Sequence, residues 1–121
     1  MRPEERDLAY LWDMREAARE AIQMLGSRTD DEYLADNVLR RAVERCVELV
    51  GEAARRVSSE MQAAHPEVAW RGIIGQRNVL AHEYGAIDHS LLYRTATEDL
   101  PALDRRLTAI LRDAEPDSLD T

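Results

Sequence analysis

Between Leu39 and Val57 the apolar residues Leu39, Val43, Cys46, Val50, Ala53 and Val57 recur at alternating intervals of four and three. A strand cannot use that spacing, because its faces alternate every two residues; a helix places all six on one seam. Such a seam is stable only when another apolar surface covers it, so the chain needs helices packed on helices. Five Gly and four Pro in 121 residues leave little material for the many tight turns of an all-β fold. The prediction is an all-α antiparallel bundle of four main helices plus one or two short ones, in a single domain.

The remaining elements follow from the same periodicity. A first helix is expected from about Pro3 to Leu25, carrying Leu8, Leu11, Ala18, Ile22 and Leu25 and stopped by Gly26. Thr29, Asp30 and Asp31 offer N-caps for the next stretch, which bends or restarts near Asp36-Asn37 and continues to about Val57. Gly51 inside that helix costs about 1 kcal/mol against Ala, which makes a close helix–helix approach there plausible. Ser58 or Ser59 caps a short helix through Ala64, with Ser59 and Gln62 at capping-box spacing. After His65-Pro66 another helix starts between Val68 and Arg71 and runs towards His82. Asp88 caps the last one, whose stripe is Leu92, Ala96, Leu100, Leu103, Leu107 and Ile110, and Pro101 should kink it. The bundle is assigned to residues 1–113, and the acidic stretch 114–121 is expected to be a disordered tail.

Twenty-four acidic residues against sixteen basic ones give a net charge of −8. Such a surface repels a phosphate backbone, so a nucleic-acid role needs a local basic cleft on an acidic body. All sixteen basic residues are Arg, so no single Arg stands out by type. The lone Cys46 reads as a small core residue, and with three scattered His it offers no metal-ligand spacing. No apolar run reaches membrane-span length, and the N-terminus lacks a signal-peptide pattern. A cytoplasmic protein with no membrane segment and no bound metal is expected.

One stretch offers chemistry: Arg77-Asn78-Val79-Leu80-Ala81-His82-Glu83-Tyr84. It combines a permanent cation, a side chain that titrates near neutrality and a phenol. On an ideal helix Arg77 and Tyr84 share one face, and Asn78 and His82 share another. Arg77 and His82 therefore do not point at one spot. Either the helix loosens at His82 or a second subunit completes the constellation. Metal-free RNA cleavage needs one group to deprotonate the 2′-hydroxyl and another to protonate the leaving 5′-oxygen. Two His82 residues of a dimer would serve, with two Arg77 guanidiniums on the phosphorane oxygens. The plain alternatives are a His⁺ at a helix C-terminus, an aromatic Tyr84 in the core and one surface Arg among many. Arg71, on nearly the same face as Asn78, adds a candidate phosphate contact. Glu48 and Glu52 read as a solvated face or as partners of Arg45 and Arg55, His65 as a loop residue, and His89 as part of a solvated first turn.

Several segments in order resemble one family. Arg6-Asp7 with Tyr10-Leu11 and Asp13 resembles its opening helix, and Val47-Glu48-Leu49-Val50-Gly51-Glu52-Ala53 its Gly-Glu-Ala helix. His65-Pro66-Glu67-Val68-Ala69-Trp70-Arg71 with Gly75-Gln76 and the eight-residue stretch resembles its signature region, and Asp99-Leu100-Pro101 its kinked last helix. From Arg6 to Arg112 the chain is similar to the HepT-like toxins of the HEPN superfamily, the toxins of type VII toxin–antitoxin systems. The resemblance implies a homodimer whose two Arg-x4-His-x-Tyr motifs line a shared cleft. It implies metal-independent ribonuclease activity on an RNA substrate, with Arg77 and His82 as the catalytic pair and Asn78 and Arg71 binding or orienting the substrate. It also implies a minimal nucleotidyltransferase antitoxin that transfers AMP from ATP to Tyr84; the chain itself needs no cofactor. An adenylyl group would add bulk and negative charge beside the cleft. Gly72, Gly85 and Tyr93 depart from residues common in the family and bear on substrate preference. The competing reading is a non-catalytic dimeric module that binds nucleotide or RNA and serves a nucleotidyltransferase as partner or substrate.

Overall fold

A computed structural model describes residues 2–82, 85 and 87–114; the acidic tail beyond, and Glu83 and Tyr84 of the motif, lie outside the described residues. Every regular element among them is helical: α1 Pro3–Leu25, α2 Asp30–Ala35, α3 Asn37–Ala54, α4 Ser59–Ala64, α5 Trp70–His82, α6 His89–Arg94 and α7 Leu100–Ala114, the last two joined by a π-helical turn, Thr95–Asp99. Packing runs from α7 to α1, from α1 to α3 and from α3 to α5. The seam that demanded a partner has one on each side: Val43, Cys46, Val50, Ala53 and Val57 are all buried.

The ends of the elements have local causes. Gly26 adopts φ 56° and donates to the Ile22 carbonyl, closing α1. Thr29 and Glu32 form a reciprocal capping box on α2, and Asp36 Oδ1 accepts from Leu39 N at 3.0 Å to start α3. α3 ends at Ala54, short of the expected Val57. The cap of α4 is Ser58, whose Oγ accepts from Met61 N at 3.2 Å. The Ser59–Gln62 box does not form, because Gln62 Nε2 instead donates to the Val57 carbonyl at 3.1 Å, tying α4 back to the loop. Ser58 also gives its N–H and hydroxyl to the buried Asp7 carboxylate, at 2.9 and 2.6 Å, which fastens α1 to the α3–α4 connection. The Trp70 indole donates to the His65 carbonyl at 3.0 Å and fixes where α5 begins.

Pro101 acts through the turn before it. Proline supplies no N–H and crowds the preceding helical turn, and here the helix widens over Thr95–Asp99, with Leu100 N–H reaching the Thr95 carbonyl. Gln76 Nε2 donates to Thr95 Oγ1 at 3.2 Å, so α5 is tied to this widened turn. The helix then runs to Ala114, slightly past the expected start of the tail.

α3 and α5 approach closely at Gly51. A Cβ built on Gly51 would sit 2.2 Å from Arg77 Cβ and 3.0 Å from the Ile73 carbonyl oxygen. Gly→Ala inside a helix ordinarily gains about 1 kcal/mol. At this position the sign should reverse: Gly51→Ala must push two helices apart and is expected to destabilise by about 1–3 kcal/mol. Urea denaturation of the two proteins checks this, and an unchanged or raised midpoint would contradict the packing.

Candidate functional site

Arg77 leaves α5 where that helix lies against Gly51, and its side chain runs over α3 with only 14% of its surface exposed. Its guanidinium is held at both ends. Nη2 stands 2.7 Å from Glu52 Oε2, and Nη1 donates to Asn78 Oδ1 at 3.0 Å. Glu52 in turn meets Arg56 at 3.1 Å and Arg55 at 3.6 Å. Burial opposes the charge on Glu52, but Arg55, Arg77 and Arg56 together outweigh it and hold the carboxyl below the usual carboxylate range. Three guanidiniums around one carboxylate leave a local surplus of positive charge on a chain whose net charge is −8. Towards α1 the sign changes, since Asp13, Glu16 and Glu20 line a groove there with Glu52 and Arg56.

The other predicted residues lie on a different flank. Arg71, Gly75, Asn78 and His82, spaced by four, three and four, form an exposed stripe along α5. α5 is helical from Trp70 to His82, its last residue. Residues five apart project about 140° from each other around an α-helix. Arg77 is brought to Asn78, but no described contact links it to His82 or Arg71. Tyr84 lies outside the described residues. Gly72 and Gly75, on the same outward side, would meet nothing within 4 Å if given a Cβ. Beside them a groove of about 690 Å³ runs between α3, α5, α6 and α7, largely apolar, with half-exposed Leu91 in its wall and Asp99 and Arg106 among its polar groups.

Two residues gain partners that the sequence did not disclose. His89 stands in the first turn of α6 with 39% of its side chain exposed, as expected, and its Nδ1 lies 3.2 Å from Oε1 of Glu44, whose side chain is buried in α3. Glu52 belongs to Arg77 as well as to Arg55, which spacing along α3 could not disclose. The available signal was a glycine in the middle of the best helical seam with a carboxylate directly after it. Glu48 pairs with Arg45 as expected, His65 caps α4 and pairs with Glu67 at 3.2 Å, and burial pushes the Cys46 thiol up to about 11. Among the described residues no three His, Cys, Asp or Glu side chains are grouped to hold a metal ion, and no helix is long and apolar enough to cross a membrane.

Residues 14–110 match the family model described as ribonuclease HepT-like. The chain belongs to the HepT-like family of the HEPN superfamily. It is 32% identical over 102 residues to a Methanocaldococcus jannaschii protein named "Putative RNase MJ1380", covering 84% of this chain and 94% of the relative. It is 32% identical over 94 residues to a Thermococcus cleftensis protein named "Probable ribonuclease HepT", covering 78% of this chain and 86% of that one. No solved structure matches the chain. In this HepT-like chain the Gly-Glu-Ala stretch has a physical role: Gly51 admits the Arg77 side chain, Glu52 grips it, and Ala53 continues the buried seam.

The ion-pair cluster should show in acid unfolding. A carboxyl whose folded pKa is depressed adds stability above its unfolded value, near pH 4.3, and loses it as pH falls through the folded pKa. The difference in melting temperature between the wild type and Glu52→Gln is therefore expected to be constant above about pH 5 and to shrink below about pH 4. A difference independent of pH down to 3 would contradict the cluster.

Proposed function

We propose that this HepT-like protein is the toxin of a toxin–antitoxin pair, a metal-independent ribonuclease whose site is completed by a second copy. The observation that carries the reading is Arg77. Out of sixteen Arg residues it is the one seated against a helical glycine, gripped by Glu52 and Asn78, and placed five residues before an exposed His82. The names of the relatives support the same activity.

In this reading the 2′-oxygen attacks the adjacent phosphorus while a neutral His82 takes its proton. The P–O5′ bond breaks, and a protonated His82 from the other subunit gives its proton to the leaving 5′-oxygen. The products are a 2′,3′-cyclic phosphate and a 5′-hydroxyl. Arg77 offers N–H donors to the equatorial oxygens as charge builds on them. Asn78 orients Arg77, and Arg71 on the outward stripe contacts a neighbouring phosphate. One His82 per subunit and the opposed flanks of Arg77 and His82 are the reasons for a dimer. The stripe with Gly72 and Gly75, and the apolar groove beside it, form a surface that a second copy would cover. The antitoxin of this reading is a minimal nucleotidyltransferase that uses ATP to adenylylate Tyr84 and so blocks the cleft by bulk and charge.

Purified protein in EDTA is expected to cleave RNA, leaving cyclic phosphate ends. His82→Ala and Arg77→Ala should each lose at least about 100-fold in kcat/KM, as expected for loss of a proton carrier or an oxyanion donor. Equal cleavage by the wild type and His82→Ala would remove the catalytic assignment, and loss of activity in EDTA would remove the metal-free mechanism. If RNA or nucleotide binds without cleavage, the non-catalytic module is the better description. Intact mass after incubation with a minimal nucleotidyltransferase of the proposed antitoxin type and ATP should rise by one or more adenylyl groups in the wild type and stay unchanged in Tyr84→Phe.

The dimer is open to separate measurement. Light scattering should give twice the chain mass, and Gly75→Leu, which fills space left open in the single chain, should give a folded monomer that no longer cleaves. A Gly75→Leu protein that stays dimeric and active would exclude this face as the interface.

A further inference from the structure

We infer that Glu52 is a positioning residue of the site: it aims the Arg77 guanidinium across α3 and, being tied itself to Arg55 and Arg56, keeps it in one place before RNA arrives. The inference rests on the ribonuclease reading above and adds a residue to it.

Four observations converge. Gly51 has no side chain, and a Cβ there would stand 2.2 Å from Arg77 Cβ and 2.9 Å from Arg77 Cγ, so the stem of Arg77 occupies the space an α3 side chain would need. Glu52, the next residue on α3, then stands where the tip of the side chain arrives, with Oε2 2.7 Å from Nη2. Glu52 is not a free side chain, because Arg56 and Arg55 hold the same carboxylate from its Oε1 side at 3.1 and 3.6 Å. Finally, Arg77 Nε is buried without a hydrogen-bond partner. Arg15 and Arg40 carry a buried Nε of the same kind, so at Arg77 it marks burial of the stem, and the contacts of the two terminal nitrogens place the guanidinium. The result is a guanidinium held at both terminal nitrogens.

A guanidinium fixed in this way loses little freedom when it meets a phosphate, and that is the basis of preorganised charge stabilisation. Nη1 carries two N–H bonds, of which Asn78 takes one. The remaining donor stays available for a phosphate oxygen. Removing Glu52 would leave Arg77 charged and present but free to swing.

The test combines kinetics with a direct view of Arg77. Glu52→Gln keeps the side-chain shape, and Glu52→Ala removes it. Both are expected to lower kcat about 10–100-fold while KM changes less than about threefold, because positioning acts on the transition state more than on substrate binding. In ¹⁵N spectra of the guanidinium groups, assigned with Arg77→Lys, wild-type Arg77 should show separate, slowly exchanging Nη signals. In Glu52→Ala these should average. A kcat unchanged in both variants, or Arg77 signals equally restricted without Glu52, overturns the role of Glu52 and leaves the ribonuclease reading standing. A wild type that cleaves no RNA overturns the ribonuclease reading itself, and with it the catalytic purpose of the clamp, even if Arg77 proves immobile. Melting temperatures of the variants guard against mistaking unfolding for lost positioning.

Discussion

Everything distinctive in this molecule depends on how closely α5 comes to α3. The absent side chain at Gly51 lets the stem of Arg77 lie on the α3 backbone, where even one methyl group would collide with it. From that contact follow the reach of Arg77 to Glu52, the burial of its stem and the position of the rest of α5. Further contacts hold the helix in register: the Trp70 indole on the His65 carbonyl at its start, and Gln76 on Thr95 in its middle. α5 is thus fixed at its start and along its length by neighbours on three elements.

Electrostatics then separate the surface into zones. A chain with net charge −8 is a poor partner for a polyanion as a whole. Around Glu52 the balance is inverted by Arg55, Arg56 and Arg77, while the groove towards α1 stays acidic. A basic spot beside an acidic groove would, in the ribonuclease reading proposed above, admit a phosphate in one place and disfavour indiscriminate adsorption elsewhere.

Much of the fold was legible in the residues. The spacing of four and three along α3, the Gly26 stop, the restart near Asp36-Asn37 and the Asp88 cap are local signals, and the helices obey them. Boundaries moved where a longer-range contact competed. Asp7 takes the Ser58 N–H and hydroxyl, and Gln62 turns back to the carbonyls at the end of α3, so the cap of α4 is Ser58 with no box at Ser59. Pro101 announced a disturbance, but not its form, a widened turn whose Thr95 accepts from Gln76, nineteen residues earlier in the chain.

The candidate site divides in the same way. The sequence by itself determined that Arg77, Asn78 and His82 share a helix and that Arg77 and His82 leave it in different directions, because helical periodicity is a property of consecutive residues. It also marked Gly51, inside a helix, as a place where another helix could come close. Only the tertiary structure decided that Arg77 is what comes close, that Glu52 holds it, that His89 stands beside Glu44, and that Gly72 and Gly75 face open space. These are contacts between helices. They depend on the distance and rotation at which two helices settle, and that is a balance struck by the whole core.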